Sequence, residues 1–307
     1  MSGEIFVSIA AYRDPDCTNT LRSLFATARE PDRINVGLCW QALPGTDDEL
    51  YPVRERESQC TVLLVDARES RGACWARSKI ESLWRGEDYL LQIDSHMRFM
   101  PNWDVALQEM LTKCASDKPA LSTYAHAFPE GFPETENFVT GTFPVMYAQN
   151  FDDDGVLFLG ANRPSLSEAP ELPARNPFFS ANFFFASASV IAEVPYDPHF
   201  YFFGEEISRS VRLFTHGWDL FTPNSVPIYH DYNRRPERGL HWDDHPDWGD
   251  LDRRSRARLR HLLNMDVSED RYVLNEIDKY GLGVTRSMAD YEEFAGLNFR
   301  NRTIHPR

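Results

Sequence analysis

The chain of 307 residues has no apolar run near the roughly 20 residues that span a bilayer. Its start, Met1-Ser2-Gly3-Glu4, has no basic region followed by an apolar stretch, as a secretory leader would. Cysteine is scarce: Cys17, Cys39, Cys60, Cys74 and Cys114 are scattered, odd in number and free of any Cys-x-x-Cys pair. That pattern argues against a disulfide framework and for thiols in a reducing compartment. A soluble, cytoplasmic protein is therefore expected. Basic residues are outnumbered, 32 Lys and Arg against 47 Asp and Glu, and the net charge of -15 opposes nonspecific nucleic-acid binding. No internal repeat or low-complexity segment is visible. What is present, 42% hydrophobic and 13% aromatic residues, suffices to bury the core of one catalytic unit.

The first third alternates apolar strands with helical spacing, the mark of an α/β parallel sheet covered by helices. Strands are expected at residues 5–11, 34–40, 61–67 and 90–93, with helices at 16–29 and 72–84. A helix at 101–115 and a strand at 120–125 follow. Residues 126–177, rich in Pro, Gly, Asn and Phe without a period, read as an irregular excursion suited to an acceptor-side loop or lid. The stretch 176–187 reads as an aromatic core strand, and the Arg-rich helix 251–263 as a solvated face paired with acids. In parallel sheets ligands gather at the carboxyl ends of the strands, so Tyr12-Arg13-Asp14, Asp66-Ala67 and Asp94-Ser95-His96 should converge.

Leu90-Leu91-Gln92-Ile93-Asp94-Ser95-His96 carries the strongest chemical signal. An apolar strand ends there in a carboxylate and an imidazole one residue apart, which in an extended chain project to the same side and could grip one divalent cation. A third ligand would come from far along the chain. His230, at the end of a short strand over 225–229, is the leading candidate, with His241 and His245 as alternatives. Gly204-Glu205-Glu206 after Phe202-Phe203 pairs two acids with aromatic rings, which suits a sugar's hydroxyls and apolar ring face; the same residues also suit a helix amino terminus.

Asp94-Ser95-His96, Phe202-Phe203-Gly204-Glu205-Glu206, His216-Gly217-Trp218-Asp219-Leu220-Phe221 and Tyr229-His230, with the opening Val7-Ser8-Ile9-Ala10-Ala11-Tyr12-Arg13-Asp14, occur in one order. Together they resemble the UDP-GlcNAc-dependent α-N-acetylglucosaminyltransferases that modify hydroxyproline on a Skp1-type protein, and more distantly the polypeptide N-acetylgalactosaminyltransferases. The resemblance implies a GT-A glycosyltransferase fold with a mainly parallel central sheet. It further implies retaining transfer from a UDP-sugar, most naturally UDP-GlcNAc, to a hydroxyl on a protein, peptide or glycan. A weak nucleotide-sugar or glycan-binding module, or transfer to a small-molecule or polysaccharide acceptor, is the alternative. Under the resemblance Asp94, His96 and His230 hold Mn²⁺ or Mg²⁺, and Ala10, Tyr12, Arg13 and Asp14 line the uridine. Arg71 or Arg77 approaches the nucleotide or its phosphates, Ser95 and Trp218 complete the substrate contacts, and Glu205 and Glu206 are the catalytic-site acids. A catalytic domain over 1–240 with its insertion at 126–177, followed by a helical or irregular extension over 241–307, is expected.

Overall fold

Runs such as Ile5-Phe6-Val7 and Leu90-Leu91 lack polar alternation, so the strands that contain them must be covered on both faces. The computed structural model describes residues 3–128, 141–233 and 237–305 and does so cover them. In chain order the elements are β1 (Ile5–Tyr12), α1 (Cys17–Thr27), β2 (Ile34–Ala42), β3 (Cys60–Asp66), α2 (Ala73–Glu81), β4 (Tyr89–Asp94), β5 (Met97–Phe99), α3 (Trp103–Thr112), β6 (Pro119–Ser122) and β7 (His126–Ala127). There follow β8 (Val145–Phe151), β9 (Leu157–Asn162), β10 (Ala174–Arg175), β11 (Phe183–Ser187), α4 (Val190–Glu193), α5 (Glu205–Thr215), β12 (Asp219–Thr222) and β13 (Ile228–His230). The chain closes with α6 (His241–Asp244), α7 (Trp248–Leu262), α8 (Met288–Ala295), β14 (Leu297–Asn298) and β15 (Thr303–Ile304).

Eight strands form one sheet in the order β10-β12-β6-β11-β4-β1-β2-β3. β1, β2, β3 and β4 are mutually parallel, as are β6 and β12, whereas β11 runs antiparallel between β4 and β6. Leu21 and Leu24 of α1 pack on one face with Trp103 and Leu107 of α3. Ala76 and Ile80 of α2 cover the other. Each such fully buried Leu or Ile stabilises the fold by about 1.5–3 kcal/mol. A smaller sheet, β5-β13-β7, sits beyond the carboxyl end of β4. Among the described residues no helix is long and apolar enough to cross a membrane, and all five cysteines are free thiols.

Several boundaries differ from the sequence reading. Of the expected strand 176–187 only Phe183–Ser187 is extended. The preceding Phe178 and Phe179 are buried in an irregular segment, held by Ser210 Oγ accepting from Phe179 N and Ser122 Oγ accepting from Ser180 N. The span expected to be irregular contains a β8–β9 hairpin; a register shift between Ala148 and Asn150 breaks its period. The part of that expectation on residues 129–140 lies outside the described residues. His230 is the last residue of β13 rather than following a strand over 225–229. On the Arg-rich helix, Arg258 is not solvated but buried, bonded to Asp197 and to the carbonyls of Val273 and Asn275.

Candidate active site

The antiparallel pairing of β13 with β5 sets His230 opposite Met97, and Asp231 N donates to His96 O at 3.0 Å. That register brings a histidine from late in the chain against the end of β4. Asp94, His96 and His230 thereby form a cluster whose ligand-capable atoms all lie within 4.8 Å of one another. His230 Nε2 is 3.1 Å from Asp94 Oδ2, and the two imidazole rings meet edge to face at 4.6 Å.

The surrounding groups fit a cation. Two ligand atoms at right angles on bonds of about 2.1–2.2 Å would lie about 3 Å apart, close to the Asp94–His230 separation. His230 Nδ1 is buried without a hydrogen-bond partner among the described residues. Burial outweighs Asp94 and lowers the His230 pKa, which favours the neutral ring a metal ligand requires. Burial pushes the Asp94 carboxyl up, but the His230 bond and the Arg77 charge outweigh it and leave its pKa well below the usual carboxylate range. One carboxylate oxygen and two imidazoles suit a divalent first-row cation.

Asp14, expected on the uridine, lines the cavity and also supports the cluster. It is 1% exposed and accepts from Ser95 Oγ at 2.6 Å and from His96 Nδ1 at 2.8 Å. A proton on His96 Nδ1 leaves the Nε2 lone pair free to ligate, the carboxylate–histidine support common around metal ions. Arg238 Nε lies 3.4 Å from Asp14 Oδ1, and its NH2 lies 3.4 Å from Asp231 Oδ2. Asp231 therefore pairs with Arg238 and with Asn233 instead of steadying His230 Nδ1.

The cluster opens into a cavity of about 480 Å³. Ala10, Tyr12, Asp14, Ser95, Arg77, Glu205 and Glu206 line it together with the three candidate ligands. Arg77 is buried among Asp94 (2.7 Å), Glu205, the Ala181 carbonyl (3.1 Å) and Tyr196 Oη, so its charge is already neutralised by protein carboxylates. Glu205 also accepts from Tyr196 Oη. Glu206 accepts from Tyr124 Oη (2.7 Å) and Ala181 N (2.9 Å), and burial pushes its carboxyl up to about 7. Both acids also open α5 behind Gly204, whose φ of +90° suits glycine.

Three expected contacts are absent from the cavity wall. Arg13, at φ +47°, turns its guanidinium away to Asp47 (2.8 Å) and Asp244 (2.7 Å). Arg71 is exposed while its neighbours Ser70 and Gly72 line the cavity. Trp218 is 1% exposed, packed in the core with its indole donating to Glu193. Asp66 pairs with Arg68 and does not join the convergence. His241 and His245 stack at 3.9 Å and bond Tyr201 Oη and the Ala67 carbonyl respectively, outside the ligand cluster. His241, its pKa lowered to about 4 chiefly by burial, still lines the cavity, as do Trp242, Tyr201, Tyr124 and Arg238. No spacing or run singled these out, because segments distant in sequence deliver them.

A family model described as Glycosyltransferase (GlcNAc) matches residues 4–53 and 48–301. A comparison with curated proteins gives no match. Among solved structures, GalNAc-T7 with UDP, GalNAc and Mn²⁺ is similar at a TM-score of 0.61 and 15% identity, over 95% of this chain and 56% of that one. This chain thus spans little more than half of that protein. TarS 1–349 of S. aureus in complex with UDP-GlcNAc gives 0.54 and 14% over 97% of this chain and 72% of that one. The mannosyltransferase PcManGT of Pyrobaculum calidifontis, with GDP-Man and Mn²⁺, gives 0.53 and 11% over 97% and 71%. At these identities the likeness speaks for the fold, which is the GT-A glycosyltransferase arrangement of an α/β, mainly parallel sheet.

Proposed function

This chain belongs to the GlcNAc glycosyltransferase family, and from that premise we propose that it transfers GlcNAc from UDP-GlcNAc to an acceptor hydroxyl with a divalent cation. The observation that carries the reading is the Asp94, His96 and His230 cluster at the mouth of the 480 Å³ cavity. A bound Mn²⁺ or Mg²⁺ would supply Lewis-acid neutralisation of the diphosphate. The protein's own part is to hold and orient. Asp14 holds the His96 ring, Arg77 pairs with both Asp94 and Glu205, and Glu205 and Glu206 line the cavity where the transferred sugar would lie.

In the transfer the acceptor oxygen bonds the anomeric carbon as the bond from that carbon to the β-phosphate oxygen breaks. UDP leaves with that electron pair, and its phosphate takes the acceptor proton. No protein nucleophile is needed, so the reading follows the family resemblance in assigning retention, with positioning and neutralisation as the catalytic contributions. The same resemblance suggests a protein or peptide hydroxyl as acceptor, and the unit over 1–240 as the catalytic part. The test is a panel of UDP- and GDP-sugars with and without Mn²⁺, read by release of nucleotide and the anomeric configuration of early product. Preference for a GDP-sugar, activity indifferent to chelation, or a β-linked product would each overturn the corresponding element.

A further inference from the structure

The cavity has two unlike walls. The candidate metal cluster, Arg77 and the two acids of α5 make one side. The other is built from Leu157, Phe158 and Leu159 of β9 with Phe202, Phe203 and Trp242, and none of these six carries a charge. Four of the rings form a continuous ladder: Phe158 to Phe203 at 5.6 Å, Phe203 to Phe202 at 5.2 Å, and Phe202 to Trp242 at 6.0 Å. Its far end is open, with Phe202 47% and Trp242 40% exposed.

Exposed aromatic surface that runs into a polar cavity marks a binding site more often than a stray surface ring does. The inner end of this ladder is also anchored. Arg256 lies over Phe203 at 4.7 Å and is itself neutralised by Asp152 and Asp252. A preorganised wall loses little conformational freedom when a ligand lies on it. Under the function proposed above the donor's polar diphosphate, ribose and hexose belong with the other wall, and its uracil with Ala10 and Tyr12 at the end of β1.

We propose that this aromatic wall is the acceptor subsite, and that it takes a small neutral molecule whose hydroxyl sits next to an apolar ring. The inference rests on the transferase reading and replaces the protein or peptide acceptor that the family resemblance suggests. An extended peptide laid along the six side chains would find a single donor, the Trp242 indole N–H, and no acceptor for its backbone N–H groups, which are costly to leave unpaired. A ring lies flat on the ladder with no such loss, and the uncharged wall offers nothing to a charged acceptor.

The probes are phenyl β-D-glucoside and methyl β-D-glucoside, which present the same hydroxyls and differ in the apolar ring. With UDP-GlcNAc and Mn²⁺ the phenyl compound should give a kcat/KM at least tenfold the higher. Phe202→Ala and Trp242→Ala, both at exposed positions, should raise its KM about tenfold, while the Kd for UDP-GlcNAc alone moves less than twofold. Equal use of the two glucosides, a larger change in donor Kd than in acceptor KM, or turnover of a hydroxyl-bearing peptide panel with neither glucoside accepted would each overturn the proposal. Saturation-transfer NMR without donor separates it from the transferase reading. Transfer to the phenyl protons that is lost in the Phe202→Ala/Trp242→Ala double variant supports the wall even if no UDP-sugar is consumed, and its absence in the native protein refutes it.

Discussion

Replacing Asp14 with Asn tests whether the site depends on a carboxylate that bonds the His96 ring. The side chain keeps its shape and its Oδ1 acceptor for Asp16 N, 3.0 Å away. What disappears is the charge facing His96 Nδ1 and Arg238. An amide NH₂ turned toward His96 would make Nδ1 the acceptor and move the ring proton to Nε2, the nitrogen needed for the cation. Losing such an outer partner weakens metal binding about 10- to 100-fold, or about 1.4–2.7 kcal/mol. The metal-free protein should lose about 1.5–3 kcal/mol as charge-assisted bonds become neutral ones. Mn²⁺ calorimetry reads the first effect, thermal unfolding the second, and ¹⁵N shifts of the His96 ring the change of tautomer. Mn²⁺ affinity within twofold of native in Asp14→Asn, with His96→Ala deficient, would refute the argument.

Asp94→Ala and His96→Ala should each leave a folded protein whose metal-dependent turnover falls at least 100-fold, a loss of about 2.7 kcal/mol in transition-state stabilisation; a native rate in either removes the metal reading. His230→Ala should weaken Mn²⁺ binding and turnover together, whereas a loss confined to His241→Ala or His245→Ala would move the third ligand downstream. Glu81, largely buried, has its carboxyl pushed up to about 7 by burial, against a usual 4.5. The folded state therefore binds more protons than the unfolded one between those values, and this group's contribution to stability declines as pH rises through that window. Glu81→Gln should remove that decline, on the order of 3 kcal/mol by pH 8, and parallel unfolding profiles for variant and native protein from pH 4 to 8 would contradict it. Gly72 stands at φ +97° with Tyr201 Cδ2 2.7 Å from where a Cβ would lie. Gly72→Ala should lower stability by about 1–3 kcal/mol, and an unchanged melting temperature would show that Tyr201 yields freely.

The parallel α/β character, β1 to β4 and the pairing of Asp94 with His96 were legible in the sequence, because they depend on local periodicity. An apolar run long enough for one strand must be buried on both faces, and side chains two apart share a side wherever the chain is extended. His230 was legible only as one of three candidates. The register of β13 on β5 places His230 opposite Met97 and beside Asp94 and His96, and leaves His241 and His245 stacked on each other. Tertiary structure also set the partners of other candidate residues: Arg77 pairs with Asp94 and Glu205, Asp14 bonds His96, and Trp218 fills the core instead of the cavity wall. Arg238, Trp242 and the β9 wall had no local signature, because their place in the cavity depends on contacts between segments distant in the chain. Sequence determines which side chains a strand can present and in what spacing; which of them meet is settled by the packing of the whole chain, since a charge or ring takes its role from the partner that reaches it.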